Sequence, residues 1–147
     1  MTAYDLATTR DLQTLVETTP IHLWLAFKVV SVDAVQGALT MIAPIGANAR
    51  RFSGGDSAHG GVIAALIDTT ATFACSALLR RPVPTMNLRV DYLRPAAGSE
   101  LVAKATVRRC GRTAAVIDVD VEADGKLVAI GRCVQATAAP DSERTVS

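Results

Sequence analysis

The stretch that decides the fold is residues 59–79, HGGVIAALIDTTATFACSALL. It pairs a His-Gly-Gly start with a long apolar run in which Asp68 is the only charged residue. The composition predicts a helix buried on most of its sides inside a globular domain. A lone carboxylate in such a segment is costly to bury unless it reaches water or has a task. We therefore expect Asp68 to have a chemical role.

The same stretch is about as long as a bilayer span. A central Asp would cost roughly 2.5–3.5 kcal/mol in a membrane helix. Since hydroxyl residues follow it at Thr69, Thr70 and Thr72, a core helix of a non-membrane protein is favoured.

The residue patterns before and after this helix predict an α+β domain. An amphipathic helix is expected over residues 5–17, strands over 23–32 and 38–43, and a long loop over 45–58. Four further strands are expected over 86–93, 101–107, 113–122 and 126–137, with a turn at 108–111 and an Asp124-Gly125 hairpin turn. Consecutive strands with short turns predict an antiparallel meander of about six strands curled around the helix. The 147 residues suit one domain, with a helical segment over 1–20 and a flexible tail over 138–147.

Charge and cysteine usage exclude several classes of function. The net charge of +1 argues against general binding to nucleic acid or an anionic membrane surface. The three cysteines form no CxxC motif, and the chain has only two histidines, His22 and His59. A zinc site and a disulfide framework are therefore not expected, and no secretory signal is recognisable at the start of the sequence. We expect a cytoplasmic protein that needs no metal or cofactor.

Glycines at a helix start provide a place for an anion. The first N–H groups of a helix have no intrahelical partner, and with the helix dipole they suit a developing oxyanion. Gly60 and Gly61 are the candidates for this role. Asp68 lies nine residues after His59, roughly 13 Å along a helix, so it cannot serve the same carbonyl as its own helix start.

A family resemblance is carried by three segments: HGGVIAALIDTTATFA, TMNLRVDYLRP and CGRTAAV. Together they resemble the hotdog-fold acyl-CoA thioesterases, and the phenylacetyl-CoA thioesterase-like branch in particular. The resemblance covers residues 20–137. It implies hydrolysis of an acyl-CoA, aryl or medium-chain, in a homodimer or a homotetramer built as a dimer of dimers. It also implies an active site between subunits, with the carboxylate from one and the His-Gly-Gly turn from the other.

Site residues follow from the same resemblance. Asp68 would be the general base or the nucleophile, both of which remain open, and Thr85 would orient the attacking water. His59 would hold the turn, although its ring could also take part in catalysis. The substrate-binding positions implied for coenzyme A or the acyl group are Tyr92, Asn87, Phe73, Gly111, Arg112 and Thr113. His22 is expected at a strand edge or at the mouth of the acyl pocket, whose wall would include Ile21 and Trp24.

One position departs from the family pattern. Relatives commonly carry an Asn six residues before the His-Gly-Gly histidine, where this chain has Ser53. A serine hydroxyl donates one hydrogen bond with a shorter reach, so Asn48 or Ser57 could take over the role. This departure leaves a non-catalytic acyl-CoA-binding or sensor protein of the same fold as the alternative function. Dehydratases of this fold rank lower, because the helix carries no Glu.

Overall fold

A computed structural model describes residues 6–138 of the chain. Its helices are α1 (Thr9–Thr18), α2 (Pro20–Trp24) and α3 (Gly60–Leu79), with a short 3-10 turn at Ala47–Ala49. Its strands are β1 (Lys28–Asp33), β2 (Ala38–Pro44), β3 (Thr85–Tyr92), β4 (Glu100–Cys110), β5 (Ala114–Ala123) and β6 (Lys126–Ala136). The six strands form one antiparallel sheet in the order β1-β2-β4-β5-β6-β3. The predicted tail over 138–147 falls almost entirely outside the described residues.

The long helix lies against this sheet, as the apolar run predicts. His59 is the N-cap of α3, and Arg80 ends the helix in the left-handed region, with φ 57°. Leu66, Ile67 and Ala71 of α3 are fully buried, and so are the inward residues of the central strands. The α+β architecture of a six-stranded antiparallel sheet around a central helix is therefore confirmed.

The order of the strands corrects one prediction. Strands β4, β5 and β6 do form a meander, and its β5–β6 turn has positive φ at both Asp124 (50°) and Gly125 (70°), as expected for a tight hairpin turn. Strand β3, however, pairs with β6 and not with β4. The chain crosses from β3 to the far side of the meander, so β3 is an edge strand.

Two further boundaries differ from the prediction. Residues 20–24 form α2 and the strand starts only at Lys28, because Pro20 occupies the first helical position, where its fixed φ and missing N–H are tolerated. Residues 108–110, expected in a turn, belong to β4 beyond a bulge between Val107 and Arg109. The turn to β5 begins at Gly111.

Among the described residues, α3 is the one helix that is long and apolar enough to cross a membrane, judged by length and composition alone. Within the fold, 67% of its most apolar window is buried. The helix is thus covered by this domain, and its hydropathy is that of a core element.

Candidate active site

Asp68 lies half-buried near the middle of α3 and is held by a hydroxyl from the edge strand. Thr85 Oγ1 donates a hydrogen bond to Asp68 Oδ1 at 2.7 Å. Thr72, one helical turn after Asp68, places its Oγ1 3.3 Å from Thr85 Oγ1. A bulge between Thr85 and Asn87 at the start of β3 locally re-aims the strand, which is a common device next to active sites. The two predicted residues Asp68 and Thr85 are therefore brought together.

The start of α3 forms a second polar group. Gly61 N–H donates to His59 Nδ1 at 2.9 Å, and Tyr92 Oη donates to the Gly60 carbonyl at 2.7 Å. The Gly60 N–H has no hydrogen-bond partner among residues 6–138. Since Gly61 N–H is already used by the His59 ring, Gly60 supplies the open donor. His59 acts as a helix cap in this arrangement.

Glycine at position 60 also permits a close approach. A Cβ there would lie 3.3 Å from the Tyr92 ring and its hydroxyl oxygen, which is tighter than ordinary van der Waals contact. The lack of a side chain therefore keeps Tyr92 against the first turn of the helix.

These two groups lie far apart along the same two elements. Gly60 and Asp68 are eight residues apart on α3, about 12 Å at 1.5 Å per residue. Tyr92 and Thr85 are the two ends of β3, about 23 Å apart at 3.3 Å per residue. One chain therefore carries an Asp68–Thr85 half-site and a separate Gly60–Tyr92 half-site.

A cavity of about 460 Å³ opens beside the Gly60–Tyr92 half-site. Its wall contains Arg51 and Arg94 together with Leu93, Pro95 and the first turn of α3. A second cavity, of about 330 Å³, lies on the other side of Gly61 and His59. It is lined by Asn48, Arg50 and the apolar side chains of Ile21 and Trp24. Gly61 lines both cavities.

His22 corrects another expectation, because it lies on α2 and not at a strand edge. Its Nε2 is 3.1 Å from Thr69 Oγ1, and its ring stacks on Phe27 and meets Phe73 edge-on. Burial lowers the pKa of His22 from its ordinary value of 6.5, and the nearby Asp68 carboxylate opposes that shift. A neutral His22 therefore lies beside the Asp68 half-site. Phe73, predicted to bind substrate, is 7% exposed and packs edge-on against this imidazole.

The loop before α3 places its polar residues unevenly. Ser53 lies exposed in a turn closed by a 3.0 Å hydrogen bond from Gly55 N–H to the Phe52 carbonyl, and it is not among the residues lining the two cavities. Ser57 Oγ donates to Asp56 Oδ1 at 3.0 Å. Asn48 donates from its amide to the Trp24 carbonyl and faces the second cavity. Of the three, Asn48 shares a cavity wall with His59 and Gly61.

The remaining predicted contacts lie towards the Asp68–Thr85 end of the sheet. Thr137 fastens the Gly111–Thr113 turn, donating from Oγ1 to the Gly111 carbonyl at 2.6 Å and from N–H to the Thr113 carbonyl at 3.0 Å. Arg112 is exposed at the tip of this turn, and Asn87 is exposed on the edge strand. Among the described residues, no cluster of three His, Cys, Asp or Glu side chains could hold a metal ion.

One buried side chain near Asp68 is missing from the sequence predictions. Gln135 of β6 is fully buried, and its Nε2 donates to Thr72 Oγ1 at 3.2 Å. The alternation of β6 could have indicated its burial, since Gln135 lies on the same inward face of the strand as Cys133 and Gly131. A polar residue at an inward position of a strand is an exception that calls for a specific partner.

Comparison with known proteins gives the family. The model of the thioesterase superfamily matches residues 55–130, from the loop before α3 into β6. The chain belongs to the thioesterase superfamily. A Halobacterium salinarum protein provisionally named an esterase is 37% identical over 124 residues, 76% of this chain and 82% of its own length. The acyl-coenzyme A thioesterase PaaI of Escherichia coli is 33% identical over 98 residues, 66% of each chain.

Solved structures of this superfamily share the fold. The N33D mutant of the phenylacetic acid degradation protein PaaI from Thermus thermophilus superposes with a TM-score of 0.70 at 28% identity, covering 80% of this chain and 98% of its own. The resemblance to hotdog-fold thioesterases of the PaaI type is therefore confirmed. At the level of the family, the chain is a thioesterase.

Proposed function

We propose that the protein hydrolyses acyl-CoA thioesters, with each active site built from the Asp68–Thr85 half-site of one subunit and the Gly60–Tyr92 half-site of another. The observation that carries the proposal is the separation of the two half-sites within one chain. Membership of the thioesterase superfamily supports the reaction class, and the PaaI relative supports coenzyme A as the thiol.

The position of β3 supports the shared site. Strand β3 is the free edge next to β6, and exposed edges in native proteins are usually covered or paired. An antiparallel pairing of β3 with its copy, about a twofold axis between Leu88 and Arg89, sets Thr85 close to Tyr92 of the partner subunit. The same pairing brings each Asp68 towards the partner's helix start, so that a dimer contains two complete sites.

In such a site the thioester carbonyl accepts a hydrogen bond from Gly60 N–H, at the positive end of α3. As the carbonyl carbon becomes tetrahedral, its oxygen gains negative charge, which this donor and the helix dipole stabilise. Asp68 either removes a proton from an attacking water or attacks the carbon directly to form an anhydride. In the water route, collapse of the tetrahedral species leaves the free acid and expels the thiolate, which takes up the proton from Asp68 to give CoA. In the direct route, collapse expels the thiolate and leaves the anhydride, which a water molecule then hydrolyses to the free acid and the Asp68 carboxylate, and a proton of that water goes to the thiolate.

The surrounding cavities suggest where the substrate lies. Arg51 and Arg94, beside Gly60, offer guanidinium groups to the phosphates of coenzyme A, and Arg112 offers another at the Asp68 end of the site. Ile21 and Trp24 are 50% and 62% exposed and line the apolar cavity that we assign to the acyl group. Asn48 faces the same cavity. We assign to it the role that relatives give to the Asn at the position of Ser53.

The test is thiol release from phenylacetyl-, hydroxybenzoyl- and medium-chain acyl-CoAs. We expect Asp68→Asn to fold normally and to lose at least about a hundredfold in turnover, the usual effect of removing a general base. Asp120→Asn, which changes an exposed carboxylate on β5, is the matched control and should turn over normally. Full activity of Asp68→Asn would remove this carboxylate from the mechanism. Tight acyl-CoA binding without hydrolysis by the unaltered protein would favour the sensor function.

A further inference from the structure

Gln135 is an unusual residue to find beside the Asp68 half-site. It is 0% exposed, and its Oε1 has no hydrogen-bond partner within residues 6–138. A buried polar atom left unpaired destabilises a fold, and an apolar side chain of the same shape is often no worse. Packing alone therefore gives no reason for a glutamine here. Its one hydrogen bond, from Nε2 to Thr72 Oγ1 at 3.2 Å, is the feature to explain.

That bond is the first of three that end on the carboxylate. Thr72 Oγ1 is 3.3 Å from Thr85 Oγ1, and Thr85 Oγ1 is 2.7 Å from Asp68 Oδ1. Gln135 and Thr85 are also directly paired residues of β6 and β3. The bonds therefore join the sheet, the helix and the carboxylate in one continuous chain.

The chemistry of the groups fixes the direction of this chain. An ionised carboxylate only accepts, so the single hydroxyl proton of Thr85 is used on Asp68. Thr85 Oγ1 must then accept from Thr72, whose own single proton is used in turn. Thr72 Oγ1 can only accept its remaining bond, and an amide N–H supplies it. Gln135 is the donor that makes every bond in the series compatible.

We propose that Gln135 is a positioning residue that orients the Thr72 and Thr85 hydroxyls so that Thr85 donates to Asp68. Bonds aligned in one direction polarise and strengthen one another. Without the amide, the Thr72 hydroxyl is free to turn its proton away, and Thr85 loses the donor that keeps its own proton on the carboxylate. The inference rests on the proposed function for its effect on rate, but the hydrogen-bond order is a property of the fold.

The main variant is Gln135→Met, which keeps the length of the side chain and removes the donor. We expect kcat to fall about five- to tenfold, the effect of one ordinary hydrogen bond, with KM unchanged. The melting temperature should stay the same or rise, because the unpaired Oε1 goes with the amide. A residue that merely holds the fold together would show the opposite pattern, a lower melting temperature with kcat retained. That result would overturn the proposal.

Two more variants make the test specific. Gln135→Leu also removes the donor, with a shorter apolar side chain, and should lower kcat as much as Gln135→Met does. Thr72→Val breaks the series at its next member, so adding Gln135→Met to Thr72→Val should change kcat no further. Additive losses in that cycle would mean that the two residues act separately and would refute the relay.

A failure of the proposed function gives a different pattern. If Asp68→Asn is fully active, the assignment of the base is wrong whatever Gln135 does. If Asp68→Asn is inactive and Gln135→Met is normal, the base stands and the relay is wrong. Should no acyl-CoA be hydrolysed, the crystal structure of Gln135→Met decides. The relay requires the Thr85–Asp68 hydroxyl contact to open beyond about 3.5 Å, and an unchanged contact refutes it.

Discussion

A mixture of two inactive variants tests whether the active site is shared between subunits. Asp68→Asn removes the carboxylate and leaves the helix start intact. Gly60→Pro removes the open N–H and leaves the carboxylate intact. Proline suits this position, because Gly60 is the first helical residue and His59 before it is extended, with φ −68° and ψ 136°. Gly60→Ala is the matched control, since it adds the same Cβ 3.3 Å from Tyr92 but keeps the N–H.

The size of the recovery follows from symmetry. Each variant alone should lose at least about a hundredfold in kcat, as expected for a general base or an oxyanion donor. In a random mixture about half of the dimers are mixed, and each mixed dimer has one site with both Asp68 and Gly60 intact, so about a quarter of the wild-type rate returns. If both residues served a site within one chain, no intact site would form.

The assay is thiol release after co-expression of the two variants with different affinity tags. Purification on both tags in succession isolates mixed dimers, in which about half of the wild-type rate per dimer is expected. The Gly60→Ala control should keep most of its activity, which separates loss of the N–H from crowding of Tyr92. Mixed dimers with no more activity than either parent would refute the shared site, since subunit exchange is then proven and complementation is absent.

Two further predictions concern the stability of the fold. The pKa of His22 is lowered by burial, so as pH falls through about 6.5 the unfolded chain takes up a proton before the folded one, and stability is lost. Thermal unfolding from pH 8 to pH 5 should show a smaller loss for His22→Gln than for the wild type, and equal losses would contradict the buried neutral imidazole. Separately, a Cβ on Gly131 would lie 2.4 Å from Ile67 Cγ2, so Gly131→Ala should lose about 1–3 kcal/mol of unfolding free energy. An unchanged denaturation midpoint would show that α3 can shift away from β6.

Much of the fold could be predicted because local rules and tertiary structure agree. The bounds of α3 follow from the His-Gly-Gly start and from the end of the apolar run at Leu79. The Asp124-Gly125 turn follows from residues that tolerate positive φ. At these points the local conformation of lowest free energy is also the one that packing of the core requires.

Other features cannot be predicted from the spacing of apolar residues along the chain. Residues 21–33 are rich in β-branched and aromatic side chains, which favours a strand. The first of them nevertheless belong to α2, which begins at Pro20 and packs through His22 against Thr69 and Phe73. Alternation identified β3 as a strand without indicating its neighbour, so its pairing with β6 was missed. Pairing order is decided by how the sheet closes over α3, which is a property of the whole chain.

The candidate site shows the same division. Asp68 lies beside Thr85, and Gly60 lies beside Tyr92. The roles that the resemblance implies for these four residues stay predictions. Gln135 was missed because a single glutamine in an apolar strand matches no motif. Its significance appears only in the structure, where its amide on β6 and the hydroxyls of Thr72 on α3 and Thr85 on β3 form one series of hydrogen bonds.

The pairing of β3 with the outer side of β6 has a consequence for synthesis on the ribosome. Strand β3 is made some 40 residues before the strand that it pairs with, a long-range contact of the kind that forms late in folding. Within the described residues β6 is the only strand that pairs with β3, so until β6 has emerged Thr85 has no neighbouring strand and no Gln135 amide reaches Thr72. A nascent chain that stops short of β6 can therefore hold most of the core residues and still lack this half of the site.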